Sequence, residues 1–458
     1  MASTQTSTSL PLNSGDTSWV LISSALVFIM APGLGFFYAG IGESKNTMSI
    51  LVSVLLSFAV SMIHWALIGF SLAFSDTTDS PFLGNLDYFA LLGTMTKTNP
   101  EAPTIPASLF ALYQMMFAAI APALFIGATA GRMRLIPTII FVILWSTFVY
   151  SPCIYWVWSD CGWLHNLNVM DYAGGSVVHV TSGTTALILA LMLGPRIDYD
   201  GEKEFHAHSP TYVYLGTGLL WFGWMGFNGG SSVAANSRGV NAAFTSNLAA
   251  SAGGVTWMIL DTIVNQKKYT AIGLCTGAIA GLAAVTPGSG FVQPGVGIIF
   301  GIISAICCFY SVKLMKKLRI DDTLDVAPVH GVGGAVGMLL TGVFAQYQVT
   351  QVDITPGVEP TAGWLDGVWV QVPVQFLAII SICAWSALWS AILVHIMNKF
   401  PFTELRCSAE AEIHGLDETE IGEADHLYHH IIPNNDVPND GRLTAVARPD
   451  DKQALLTA

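Results

Sequence analysis

Residues 170–185 read MDYAGGSVVHVTSGTT: Asp171, a run of small residues, then His179 inside an otherwise apolar helical segment. An imidazole at that depth needs a reason, because ionisable groups within a membrane span are costly and face the bundle interior or a pathway.

Composition makes the segment a membrane span. The chain has 458 residues, of which 52% are hydrophobic and only 11% charged, against roughly 25% charged in soluble domains. Mean hydropathy is +0.56. The expected class is an all-α polytopic membrane protein in the lipid bilayer. The net charge of -13 describes a tail, since much of the acid lies beyond residue 400 (Glu404, Glu410, Glu412, Asp417, Glu418, Glu420, Glu423, Asp425). It says little about a substrate, and no nucleic acid partner is expected. The seven cysteines show neither metal-ligand nor disulfide-framework spacing; Cys153 and Cys161 could pair, and two free thiols are the preferred reading. The first residues are polar and lack Lys or Arg, so the first apolar stretch reads as a retained span.

Eleven apolar runs have about the 20 residues needed to cross a ~30 Å hydrocarbon core. They lie near 18–39, 47–74, 105–130, 135–158, 172–194, 211–231, 242–263, 269–286, 294–315, 325–346 and 367–397. Cytoplasmic loops accumulate Lys and Arg. With the N-terminus outside, 16 of the 18 basic residues fall inside, from Lys45, Arg132, Arg134, Arg196 and Lys203 to Arg442, Arg448 and Lys452. Only Lys97 and Arg238 fall outside. The expected organisation is an extracellular segment 1–17, a membrane domain 18–403 and a cytoplasmic tail 404–458, disordered after about residue 430 where Pro, Asn and Asp accumulate.

Spans 1–5 and 6–10 form two sets of five, the second necessarily inverted, as in many transporters. Span 5 begins at Asp171 and reaches His179; span 10 begins at Asp325 and reaches His330. At ~1.5 Å rise per residue His179 lies roughly 12 Å from the outer end of its helix and His330 roughly 8 Å from the inner end of its own. The two imidazoles can therefore meet near the middle. The bland alternative is an interhelical hydrogen-bonder, the reading kept for His64 and His395. Asp171 caps free N–H groups at a helix start, with attraction of a cation secondary.

Aromatics supply a second half. Span 3 holds Gln114 and Phe117, span 4 ends at Trp158, and span 6 carries Trp224, Phe227 and then Ser231. Trp158 and Ser231 should lie at the outer mouth, whereas Trp163 and Trp364 read as interfacial belt residues. Ring faces beside a hydroxyl suit a small cation leaving water, at about 0.5–2 kcal/mol per cation–π contact.

These motifs carry a resemblance. Asp171-Tyr-Ala-Gly-Gly-Ser-Val-Val-His179, Gly223-Trp-Met-Gly-Phe-Asn-Gly-Gly-Ser231, Asp322-Thr-Leu-Asp-Val-Ala-Pro-Val-His330 and Gly415-Leu-Asp417 together resemble the ammonium transporter family (Amt/Mep/Rh), its fungal-type Mep branch above all. The resemblance implies an eleven-helix protomer, a homotrimer with one pore per protomer, and multi-pass insertion in the plasma membrane. It also implies ammonium or ammonia as substrate, with methylammonium as a further candidate, and neither enzyme activity, cofactor nor metal. Trp158, Phe117 and Ser231 resemble the external recruitment site, and Phe117 with Phe227 the phenyl gate. His179 and His330 resemble the twin histidines, with Asp171, Asp325, Gln114 and Trp224 in support. Some fungal members carry Glu at the first histidine position; this chain has His179. The segment Gly42–Asn46 has one base where relatives often have more, and the tail after Asp425 has no match, so regulators of the tail are left open.

A seven-helix receptor fails on span count, and no Lys lies in an apolar span away from its ends to form a Schiff base. A membrane metalloenzyme would need more His and carboxylates in one layer, and no His-Glu-x-x-His occurs. A sensor of external ammonium with little flux stands as the alternative, because the same site would serve it.

Overall fold

A computed structural model describes residues 12–199, 207–266, 268–352 and 360–423. The far tail and its expected disorder lie outside the described residues, as do residues 1–11 and the basic residues Lys203, Lys267, Arg442, Arg448 and Lys452.

The described chain is helical, with isolated bridges at Asn99/Ala102 and Met133/Arg406 and no sheet. Each of the eleven apolar runs falls on a helix: α1 Ser14–Ile41, α2 Ser44–Phe74, α3 Ala107–Thr129, α4 Leu135–Trp158, α5 Gly175–Leu193, α6 Pro210–Gly229, α7 Ser237–Val264, α8 Ala271–Val285, α9 Val296–Lys317, α10 Ala327–Phe344 and α11 Gln371–Met397. Eight of these are long and apolar enough to cross a membrane, and α8 is apolar but shorter. α6 and α7 are diluted by Thr217, Asn228, Asn241, Asn247 and Asp261. Large apolar side chains such as Leu55, Ile63, Phe222, Phe244 and Phe376 stay exposed along these helices, as lipid-facing surfaces require. The backbone polar groups are spent within the helices.

Helices at matching positions in the two sets of five meet. α1 lies antiparallel to α6: a Cβ on Gly40 would meet Val213, one on Gly33 Leu219, and one on Gly226 Leu26. α5 crosses α10 at Gly183 and Gly331, where a Cβ on Gly183 would stand 2.2 Å from the Gly331 nitrogen. Only glycine permits that crossing, and it brings the two histidine-bearing turns together. α1 breaks at Ile29, because Pro32 has no N–H for the Phe28 carbonyl.

The tail is packed against its own protomer as far as Glu420, which accepts from Leu135 N at 3.1 Å. Asp417 accepts from Met48 N (2.9 Å) and Ser49 N (2.7 Å), capping the start of α2. Leu416 N donates to Asn46 Oδ1 (2.9 Å), and Lys45 Nζ to the Glu412 carbonyl (3.0 Å). Glu412 accepts from Ile197 N (2.7 Å) and from Arg406 (3.0 Å). Gly415 has φ +104, and a Cβ there would lie 2.5 Å from the Lys45 carbonyl. The tail thus links the α1–α2 loop to the α5–α6 loop.

All seven cysteines are free thiols, Cys153 buried and Cys161 half-buried. His64 bonds Thr147 Oγ1 at 2.8 Å, an interhelical link. His395 does not: it is exposed on the last turn of α11, where water can satisfy it.

Candidate functional site

Asp171 organises the N-terminal end of α5, the end expected to face outside. Its Oδ1 accepts from Gly174 N (2.9 Å) and Gly175 N (2.6 Å), and its Oδ2 from Ser176 N (2.8 Å), Ser176 Oγ (2.6 Å) and Val177 N (3.3 Å). Those are the orphan donors of a helix start. Gly174, at φ +107, turns the chain in a way a side chain would oppose. The first turn, Gly175–Val180, is a π-helix, and the Thr181 hydroxyl closes it by donating to the Ser176 carbonyl at 2.8 Å. Such bulges re-aim side chains and concentrate at functional sites.

His330 is presented in the same way, on a π-helical turn Ala327–Val332. The carboxylate standing to it as Asp171 stands to His179 is Asp322, not Asp325. Asp322 precedes His330 by eight residues, as Asp171 precedes His179. Its Oδ2 accepts from Ala327 N at 2.6 Å, and its Oδ1 is buried without a partner. The equal spacing was present in the sequence, and Asp325, nearer the apolar run, obscured it. Asp325 instead adopts φ +56 and lines the cavity beneath His330.

The two rings meet. His179 Nδ1 and His330 Nδ1 lie 3.2 Å apart, with centroids at 5.2 Å and planes 20° apart. Trp224 stacks on His179 at 5.5 Å and is fixed by its Nε1–H to Thr286 Oγ1, 3.1 Å. His179 Nε2 is buried without a protein partner. Beneath the rings is a cavity of about 40 Å³ lined by both histidines, Tyr38, Asp325 and apolar residues such as Leu34, Ile120 and Val329. A water needs roughly 10–15 Å³ by this measure, so the cavity admits a few molecules of water or ammonia size. Tyr38, unforeseen from sequence, donates its hydroxyl to the Leu124 carbonyl at 2.8 Å.

Aromatic rings continue the line outward. Phe227 is 6.2 Å from His179 and 4.2 Å from Phe117. Phe117 meets Trp158 edge-on at 5.8 Å and 82°. Both phenyl rings are buried and part the cavity from an open outer vestibule of about 330 Å³, lined by Trp158, Gln114, Asp171 and Ser231. Trp158 Nε1 donates to the Asp171 carbonyl at 2.7 Å. Ser231 gives its proton to the Phe227 carbonyl at 2.8 Å, which leaves its oxygen as an acceptor toward the vestibule. Gln114 is buried, and its Oε1 lacks a protein partner, making it a second acceptor on the same side. Tyr113 escaped sequence reading because it sits among apolar neighbours. Its hydroxyl reaches the carbonyls of Gly226 (2.9 Å) and Phe227 (2.8 Å) and lies 3.3 Å from Ser231 Oγ, tying α3 to the end of α6.

At the opposite end, expected to face inside, Arg132 is fully buried. Burial lowers its guanidinium to about 10, and it remains a cation held by Asp321 (3.7 Å) and Thr323 (2.6 Å). Arg196 grips the same Asp321 with two N–H groups at 3.0 Å. These contacts fix the loop that leads into α10.

The arrangement is a mainly apolar passage, closed at one end by rings beside free acceptors and carrying two hydrogen-bonded imidazoles at its centre: the interior of a membrane transporter for a small polar solute. Residues 18–426 match the Ammonium Transporter Family, and the chain belongs to it, a family of transporters rather than enzymes. The chain is 43% identical over 416 residues to Ammonium transporter 1 of Schizosaccharomyces pombe, covering 91% of this chain and 83% of that protein. It is 42% identical to Ammonium transporter MEP2 of Saccharomyces cerevisiae, covering 88% and 82%. Among solved structures it is similar to Saccharomyces cerevisiae Mep2 (TM-score 0.82, 40% identity, 87% and 88% covered) and to Candida albicans Mep2 (TM-score 0.83, 40% identity, 87% of each covered).

Proposed function

We propose that the protein takes up ammonium across the plasma membrane through one pore in each protomer of a homotrimer. In this reading all eleven long helices cross the bilayer, with the N-terminus outside and the tail inside. The observation that carries it is the unbroken line of contacts from Trp158 through Phe117, Phe227 and His179 to His330, opening into an enclosed cavity.

Ammonium is recruited at the vestibule, where Ser231 and Gln114 accept its N–H groups and Trp158 and Phe117 replace part of its hydration shell. A bare cation is stopped at the phenyl pair by the desolvation cost of the dry passage. Ammonium therefore divides there into ammonia and a proton. One proton between the two Nδ1 atoms leaves one imidazole with a free Nε2 lone pair and the other with an Nε2–H. Ammonia thus meets one acceptor and one donor in an otherwise apolar tube. It is protonated again at the cytoplasmic side, and the histidine pair is the route by which the released proton follows.

The test is current on a solid-supported membrane from purified protein given ammonium steps, with wild type compared against His179→Ala/His330→Ala. Wild type gives a current that the double variant loses. Equal currents and equal uptake would sink the role of the pair.

The second reading is a sensor of external ammonium. A solved structure described as Sensor Amt Protein is 29% identical to this chain with TM-score 0.80, and the packed tail could report occupancy to the cytoplasm. Flux in vesicles, set against signalling in cells whose transporter carries a blocked mouth, separates the two.

A further inference from the structure

Arg238 is one of two basic residues expected on the outer side, and it lines the outer vestibule. It stands in the first turn of α7, with its guanidinium carbon 5.5 Å from the ring centroid of Tyr172 and 5.3 Å from that of Phe291. Its Nε–H reaches the Gly290 carbonyl at 3.4 Å. No described carboxylate pairs with it. The two carboxylates on the same vestibule are engaged elsewhere, Glu101 with Asp160 N at 2.7 Å and Asp171 with the start of α5. A fixed positive charge therefore faces the water through which a cation must approach. It also covers a pair of ring faces that would otherwise attract that cation.

We propose that Arg238 limits the affinity of the outer mouth: it is a tethered cation that occupies the Tyr172–Phe291 ring pair and repels ammonium arriving at Trp158, Phe117 and Ser231. The proposal rests on ammonium entering by this vestibule. For a like charge at a separation on the order of 10 Å and an effective dielectric constant of about 40–80, binding is weakened about two- to fourfold. The effect extends far at low salt and little at physiological salt, since the Debye length falls from about 30 Å at 0.01 M to about 8 Å at 0.15 M.

Ammonium-evoked currents from purified wild type, Arg238→Gln, Arg238→Met and Arg238→Lys, recorded at those two ionic strengths, test it. Either neutral variant lowers the half-saturating ammonium concentration about two- to fourfold at low salt and less at high salt, and Arg238→Lys keeps the wild-type value. Neutral variants that match wild type at low salt overturn the proposal, as does an Arg238→Lys shift equal to theirs, which would mark Arg238 as a strut for the loop at Gly290. Wild-type protein without current overturns the transport reading and this proposal with it. Wild-type current with unshifted variants overturns this proposal alone.

Discussion

The two turns that present the histidines are built on one plan and secured in different ways. Each has an aspartate eight residues before its histidine and a π-helical turn bearing the ring. At the outer turn Asp171 accepts five hydrogen bonds, and Thr181 closes the bulge. At the inner turn Asp322 accepts one, its Oδ1 is unpartnered, and no hydroxyl closes the bulge. What steadies the inner turn lies outside it: Arg132 and Arg196 on Asp321, and the tail that reaches Ile197 through Glu412. The Asp171 turn is self-sufficient, whereas the Asp322 turn depends on the loop held by Arg132 and Arg196 and on the packed tail.

Breaking the outer turn should have the largest effect. Asp171→Ala leaves four N–H groups and a hydroxyl buried without their acceptor. With charged hydrogen bonds contributing about 1.5–3 kcal/mol each, the loss exceeds 3 kcal/mol by any reasonable weighting. Transport should be abolished, and the unfolding temperature of the purified protein in detergent should drop sharply. Near-normal current from Asp171→Ala would refute the self-sufficient outer turn. The inner turn should yield to a more remote change. Asp417→Ala uncaps α2 at a cost of about 1–2 kcal/mol and should free the tail, so that it is cleaved faster by protease and the current falls severalfold. Deleting residues 405–458 should do at least as much. Full transport per protein at the membrane after that deletion would show that the packed tail does not support the inner turn.

Thr181→Val probes the difference in the bulges directly. It preserves shape and removes the hydroxyl from the Ser176 carbonyl, at about 1 kcal/mol, or about fivefold if all of it is felt in transport.

How much of this was legible follows from the same comparison. The apolar runs and the two histidines stood out because long hydrophobic periods and isolated imidazoles are strong signals, and all eleven runs fall on helices. The aromatic line from Trp158 to Phe227 took its order from the family resemblance alone, because ring contacts depend on how α3, α4 and α6 pack. Asp322 was hidden by Asp325, since a one-dimensional reading puts the cap next to the apolar run, whereas the π-helical turn needs it further back. The crossing at Gly183 and Gly331 was equally invisible: small residues are abundant in α5 and α10, and only geometry shows which pair touches. Tyr113 and Thr286 are ordinary polar residues until the carbonyl or indole they hold is known.

The finest test of the comparison is pH. Burial, and then the neighbouring Asp325, push the Asp322 carboxyl up to about 7 from its ordinary 3.8. Between those values the folded chain holds a proton that the unfolded chain has released, so stability falls as pH rises through the window. Below 3.8 both states are protonated and this penalty is absent; above about 7 it is complete. Asp322→Asn cannot ionise and should flatten the decline in unfolding temperature between about pH 4 and 7, with variant and wild type converging at the acid end. Asn also retains an oxygen for Ala327 N, so the helix cap survives and the comparison isolates the charge. If the two curves run parallel, Asp322 is ionised throughout and the inner turn holds a donor-bound carboxylate like the outer one. If they diverge as pH rises, the inner turn carries a carboxyl that titrates near neutrality, next to the loop held by Arg132 and Arg196. Acidity on that side of the molecule would then act on the His330 half of the pair.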